Sequence, residues 1–181
     1  MIYFYLANGF EETEMIYPLD LCRRAGLDAK TVSVTDKTCV TGSHGITVVA
    51  DMTVLDPSYD ISKADAFVLP GGMPGTLNLE KSEAVQKAIR FGFENGRYVC
   101  AICAAPLVLG KAGLLQGKRA VCYPGFEQYL IGAEECDAKC VTDGRIITAV
   151  GAGAASDFGL EIVSRLCGAD VAENLKNAIL L

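Results

Sequence analysis

An α/β fold, with a mainly parallel sheet covered on both faces by helices, is what this 181-residue chain predicts. Three observations carry that reading. Short apolar runs alternate with longer amphipathic stretches, the pattern in which each strand feeds a crossover helix. Three of those runs stop abruptly at small or turn-forming residues: Ala7-Asn8-Gly9, Pro70-Gly71-Gly72 and Cys103-Ala104-Ala105-Pro106. The bulk composition, 51% hydrophobic and 21% charged, is that of a chain with a real core and excludes disorder.

The elements follow in order. Residues 1–6 read as a first strand. Glu11 to Ala25 is a helix, closed by Gly26 at the position after its end, where a left-handed residue is needed. Ala29–Val34 is a strand. Residues 38–50 hold two short strands around the turn Thr41-Gly42-Ser43-His44-Gly45, a hairpin. Ala66–Leu69 is a buried strand and Ser82–Glu94 a helix. Tyr98–Ile102 is a strand that ends at Cys103, with a helix starting near Pro106. Arg119–Cys122 is a further short strand. Asp143-Gly144 joins Lys139–Thr142 to Arg145–Ala149 as a hairpin. Ala154–Cys167 and Ala169–Asn177 are amphipathic helices. No repeat or linker breaks the series, so residues 1–181 form a single domain.

Several function classes are excluded at this level. The formal net charge is −6 and there is no basic cluster, so neither nucleic acid nor an anionic membrane is an expected partner. The N-terminus lacks the positive region of a signal peptide and no apolar run is long enough to span a bilayer. Eight cysteines without an export signal point to a reducing cytoplasm, most of them serving as small buried hydrophobes.

The chemistry centres on Cys103. A strand that stops at a nucleophile and is followed by Ala104, Ala105 and Pro106 is what a nucleophile elbow requires, because the sharp turn leaves no room for side chains. Pro106 suits a first helical turn. The thiol then lies at a helix N-terminus, where unpaired N–H groups favour the thiolate. Gly71 and Gly72 follow a strand end, and the amides of Gly72 and Ala104 together make an oxyanion hole. Glu11 and Glu12 suit a helix start. Glu14 lies a turn further in, on the face of Tyr17 and Pro18, where it can turn inward to hydrogen-bond the thiolate with its own pKa raised by burial. His44 is the only histidine, so a Cys–His pair must use it or not exist; as a turn residue it also reads as plain solvent-exposed. Cys100 and Cys103 are spaced as C-x-x-C, but on an extended strand they stand too far apart for a disulfide. No metal site and no cofactor is expected. Pro124-Gly125-Phe126-Glu127 borders the site, with Tyr123 beside it.

With these residues assembled, the chain resembles the ThiJ/PfpI superfamily, in the branch that contains the parkinsonism-associated protein deglycase. The resemblance covers nearly the whole chain through Asn8-Gly9-Phe10-Glu11-Glu12-Thr13-Glu14, Arg23-Arg24-Ala25-Gly26, Gly42-Ser43-His44-Gly45, Leu69-Pro70-Gly71-Gly72 and Ala101-Ile102-Cys103-Ala104-Ala105-Pro106. It implies a flavodoxin-like three-layer sandwich and a homodimer, with the reactive cysteine at Cys103, its buried acidic partner at Glu14 and the backbone anion site at Gly72 and Ala104. It also implies glyoxalase III-type conversion of methylglyoxal to lactate, deglycase activity, or oxidation of the cysteine to a sulfinate. Two departures stand out. Tyr123 occupies the position where many members carry a histidine, and Ala104 the position where the protease-like branch carries one. An anion-pocket arginine of the family falls on Val150 and another on His44. Peptide hydrolysis is therefore not expected. Three readings stay open: a cysteine-dependent enzyme on small carbonyl substrates, an oxidative-stress sensor, and a non-catalytic dimeric binding module.

Overall fold

The computed structural model describes residues 1–181. Eleven strands and six α-helices alternate along the chain. The first are β1 (Ile2–Leu6), α1 (Glu12–Arg24), β2 (Ala29–Ser33), β3 (Cys39–Thr41), β4 (Thr47–Val49), β5 (Met52–Thr53) and β6 (Ala66–Leu69). They are followed by α2 (Gly75–Lys81), α3 (Glu83–Glu94), β7 (Tyr98–Ile102) and α4 (Pro106–Lys111). The chain ends with β8 (Arg119–Ala120), β9 (Glu134–Glu135), β10 (Cys140–Asp143), β11 (Ile146–Ala149), α5 (Ala155–Cys167) and α6 (Ala169–Ala178).

Seven strands form the main sheet in the order β10-β11-β7-β6-β1-β2-β5. All neighbours pair in parallel except β10 with β11, the antiparallel hairpin expected from Asp143-Gly144. The five central parallel strands run in the flavodoxin-like order, and the chain reverses direction across the sheet between β1 and β6. The loops leaving those two strands meet at their carboxyl ends, where Glu11 N–H donates to the Gly71 carbonyl (2.9 Å) and Gly75 N–H to the Gly9 carbonyl (3.1 Å).

Alternation along each strand divides the core between two faces. Ile2, Phe4 and Leu6 of β1 pack with Val68, Cys100, Ile102, Ile147 and the helices α1, α5 and α6 through Leu21, Phe158, Ile162 and Leu175. Tyr3 and Tyr5 face the other way, with Phe67, Leu69, Val99 and the helices α2, α3 and α4. Both faces being buried explains why β1, β6 and β7 read as continuous apolar runs.

Three features differ from the sequence reading. The strand expected at Arg119–Cys122 is only β8, paired in parallel with β9 in a separate small sheet. Helix α2 and strand β5 are additional; α2 starts within a Gly-Pro-rich stretch with no side-chain cap, so nothing local announces it. Most cysteines are not fully buried: Cys22, Cys100 and Cys122 are, Cys103, Cys136, Cys140 and Cys167 are intermediate, and Cys39 is exposed. Cys39 lies on the small hairpin β3–β4, whose outward residues have no covering layer.

Candidate functional site

Cys103 follows β7 directly and takes φ 64°, a left-handed conformation rare for a residue with a Cβ. Two long-range backbone bonds hold it there. Its N–H donates to the Ala149 carbonyl of β11 (2.9 Å), and its carbonyl accepts from Tyr123 N–H (2.8 Å). Ala104, Ala105 and Pro106 are all buried beneath the turn. The strained cysteine is therefore imposed by the surrounding structure, the usual setting of a functional residue.

Glu14 arrives from the first turn of α1. Glu11 caps that helix, its side chain accepting from Glu14 N–H at 2.7 Å. This pins the turn that aims Glu14 inward, where it is 1% exposed. One carboxylate oxygen of Glu14 accepts from Gly71 N–H at 2.9 Å, and the carboxyl lies beside Cys103, close enough for each to move the other's acidity. A Cβ on Gly71 would stand 2.6 Å from both Cys103 Cβ and Glu14 Oε2. Only glycine leaves room for the sulfur and the carboxyl to meet. Gly72 has φ 87°, and a Cβ there would lie 2.6 Å from Gly9 O. The glycine pair is thus dictated by the close backbone approach of the two loops, and it leaves Gly72 N–H, together with Ala104 N–H, acting on the Cys103 sulfur.

The electrostatics of the pair depart from the low thiol pKa expected at a helix start. Burial pushes Glu14 up to about 7, with the Glu11 charge adding to it, while the bonds from Cys103 and Gly71 oppose. Burial pushes the Cys103 thiol up to about 12, and the negative charge of Glu14 adds to this. The N–H groups of Ala104 and Gly72 pull the other way without prevailing. Desolvation and a touching carboxylate outweigh the amides at the start of a six-residue helix. The consequence is that between pH about 7 and about 12 the two groups hold one proton between them. Thiolate with a protonated Glu14 and thiol with ionised Glu14 are two placements of that single proton.

Tyr123 lies beside the site. The residue is 50% exposed, and a Cβ on Gly151 would sit 3.2 Å from its ring and 3.9 Å from Cys103 Sγ. Gly151 therefore floors the gap between them, a role that sequence reasoning missed because the residue has no side chain to announce it. Val150 lies partly buried against the core, with its N–H on the Lys139 carbonyl.

His44 does not join Cys103. Its Nδ1 stands 2.9 Å from Glu12 Oε2, and its backbone N–H donates to Glu12 Oε1 at 2.8 Å. Ile46 N–H and Ser43 Oγ donate to the same carboxylate at 3.3 and 3.4 Å. Glu12, only 3% exposed, thus clasps the hairpin β3–β4 to the start of α1. These bonds, against its burial, hold Glu12 below the usual carboxylate range, and the bond to Glu12 raises His44. Glu11, Glu12 and His44 bring ligand-type atoms within 4.8 Å of one another. The Glu12 oxygens are already committed to N–H donors, so the trio serves as a clasp. Glu12 is the residue in this region whose role the sequence concealed: an acidic residue at a helix start has an ordinary local explanation. Cys100 lies wholly buried in β7 and forms no disulfide. No helix is long and apolar enough to cross a membrane.

Comparison with known proteins agrees with this architecture. The family model described as "DJ-1/PfpI family" matches residues 1–165. The chain is similar to "Protein DJ-1 homolog B" of Arabidopsis thaliana, 35% identical over 178 residues; this covers 97% of the chain but only 40% of that longer relative. It is also similar to "Deglycase PH1704" of Pyrococcus horikoshii, 34% identical over 151 residues, covering 81% of the chain and 87% of that protein. The solved structure of oxidized DJ-1 from Toxoplasma gondii superimposes with a TM-score of 0.93 at 31% identity, covering 99% of this chain and 97% of that one. A match over nine-tenths of the sequence, carried through to the same chain path in three dimensions, makes this chain a member of the DJ-1/PfpI family.

Proposed function

We propose that the protein is a cysteine-dependent enzyme of the glyoxalase III or deglycase type, acting on small α-oxoaldehydes such as methylglyoxal or on their adducts. One observation carries this reading: a half-buried, left-handed cysteine and a buried carboxyl lie side by side next to the Gly71-Gly72 and Ala104 backbone at the carboxyl end of the sheet. The relative named a deglycase supports the substrate class.

In this mechanism the Cys103 thiolate attacks the aldehyde carbon. The C–S bond forms, the carbonyl electron pair moves to oxygen, and that oxygen takes the proton held by Glu14. The N–H groups of Gly72 and Ala104 stabilise the charge developing on the oxygen. Glu14, now a carboxylate, removes the hydrogen of the former aldehyde carbon as a proton. In the resulting enediolate the hydroxyl proton passes to the former ketone oxygen and Glu14 returns its proton to the neighbouring carbon, leaving a lactoyl thioester on Cys103, which water cleaves to lactate and free thiol. The aldehyde carbon is oxidised and the ketone carbon reduced, so no external oxidant is needed. With His44 engaged by Glu12, Glu14 is the carboxyl in place to carry both proton transfers. Tyr123 and Gly151 border the space the substrate enters.

The test is lactate formation from methylglyoxal. Wild type should form it, Cys103→Ser should not, and Glu14→Gln should lose about a hundredfold or more. Lactate at the level of the Cys103→Ser control would end the proposal.

A second reading rests on the same donors. Oxidation of Cys103 by two equivalents of peroxide gives a sulfinate and two waters. Glu14 and the two N–H groups are placed to hold its oxygens, and a relative was solved as "oxidized". Mass spectrometry under graded peroxide tests it; preferential oxidation of the exposed Cys39 counts against it.

A further inference from the structure

At the opposite end of the sheet from Cys103, the amino ends of β11, β7, β6 and β1 line a half-open pocket of about 280 Å³. Its charged lining is Arg97, Arg145, Arg165 and Asp65. Three arginines against one carboxylate is an unexpected balance on a chain of net charge −6. Asp65 is already spent: one oxygen accepts from Arg97 Nη1 at 3.0 Å and the other pairs with the Met1 amine at 2.8 Å. Arg165 places its Nε on Glu161 at 2.7 Å and keeps its terminal nitrogens.

Arg145 is the telling residue. Its guanidinium lies 4.5 Å from the centre of the Tyr98 ring, its neighbour across the β11–β7 pairing. Stacking fixes the plane of the group while leaving its in-plane N–H groups untouched. No carboxylate lies within ion-pair distance of it and its side chain donates to no protein acceptor, so its full set of donors faces outward unused. A plain structural purpose, complementing a helix C-terminus, suits Arg165 in the last turn of α5. It does not suit Arg145, which follows a hairpin turn, nor the unpartnered Nε of Arg97.

The geometry points to a binding site for a small oxyanion carrying two negative charges, a phosphate group, gripped by the planar edge of Arg145 and flanked by Arg97 and Arg165. Planar guanidinium donors match phosphate oxygens in pairs. The volume lies just under the usual range for organic ligand pockets, which suits inorganic phosphate or the phosphate of a three-carbon ester better than a nucleotide. This site is independent of the Cys103 chemistry.

Thermal unfolding of the full chain at constant ionic strength, with chloride as the balancing salt, tests it using inorganic phosphate and glycerol 3-phosphate as probes. Wild type should rise saturably in Tm with at least one probe, and the better of the two identifies the source of the phosphate group. Arg145→Gln should weaken the apparent Kd about tenfold or more, and Arg145→Lys, which keeps charge but not the planar fork, should fall between. Cys103→Ser should bind as wild type does. Because Arg145 is exposed, its variants are expected to fold, and each unfolding curve reports that directly. A wild type that shifts no more with either phosphate than with chloride, or an Arg145→Gln variant that shifts as wild type does, overturns the assignment.

Discussion

Replacing Glu14 by Gln removes the charge next to the Cys103 sulfur while keeping the shape of the side chain. In wild type the first proton leaves the pair near 7 and the second near 12. Alkylation of Cys103, followed peptide by peptide because there are eight cysteines, should therefore rise in two steps with a plateau between. The Gln variant has only one proton to lose and should show one step. Its midpoint should lie well below about 12, because removing a unit charge at contact is worth about 4 kcal/mol at an effective dielectric of about 20. Stability carries the same signature. The native carboxyl of Glu14 titrates near 7, above the 4.5 of an ordinary glutamate. A raised carboxyl favours the protonated native state, so its contribution is complete below 4.5, is lost as pH rises to about 7, and is flat above. Two and a half pH units at about 1.4 kcal/mol each come to about 3 kcal/mol. Urea unfolding at pH 4.5 and pH 8 should show Glu14→Gln gaining about that much on wild type between the two conditions. A single-step alkylation profile shared by both proteins, with stability curves that stay parallel across this range, would refute the shared-proton account.

Gly71→Ala should cost about 1–3 kcal/mol by overpacking and also slow Cys103 chemistry, because its Cβ would sit 2.6 Å from both partners of the pair; thermal melting and alkylation rates report the two effects. Glu12→Ala should cost about 1–3 kcal/mol, since it removes the charged acceptor of the part-buried N–H groups of His44 and Ile46. Hydrogen exchange should then quicken across β3–β4 while the Cys103 alkylation profile stays in place. Because Glu12 is held below its ordinary value, its contribution is present above pH 4.5 and disappears as acid protonates the native carboxylate, opposite in sign to Glu14. Phe158→Ala, on the wholly buried face of α5, should cost about 3–5 kcal/mol and lower Tm by roughly 10 °C without moving either step of the alkylation profile.

Much of this molecule was legible in one dimension because local physics and the final fold agree. The apolar runs at β1, β6 and β7 and the turn residues after them predict the strands and place their ends. Gly26 and the Asp143-Gly144 turn mark boundaries by backbone conformation alone. The small residues after Cys103 announce the elbow, since any larger side chain would collide in the turn. Helix α2 was not legible, because neither a cap nor a periodic apolar face marks it; contacts with β1 and α4 hold it in place. Strand β8 was anticipated within Arg119–Cys122, but its partner β9 was not, because two residues, Glu134–Glu135, carry no strand pattern.

The division is clearest at the site itself. Sequence alone determined which chemical groups are present and which strand ends carry them: a thiol at Cys103, glycines at 71 and 72, carboxylates at 11, 12 and 14. The sequence singled out Glu14 as the carboxylate able to turn toward the sulfur; only the tertiary structure decided what Glu12 meets instead. Glu12 and Glu14 lie two residues apart on one helix start, yet one faces His44 and the other faces Cys103. The helical turn separates their directions, and burial then separates their acidities, lowering one and raising the other. The elbow likewise suggests a reactive thiolate from local rules. The three-dimensional packing sets the opposing terms, desolvation and a touching carboxyl, and these act over distances in space that no spacing along the chain encodes.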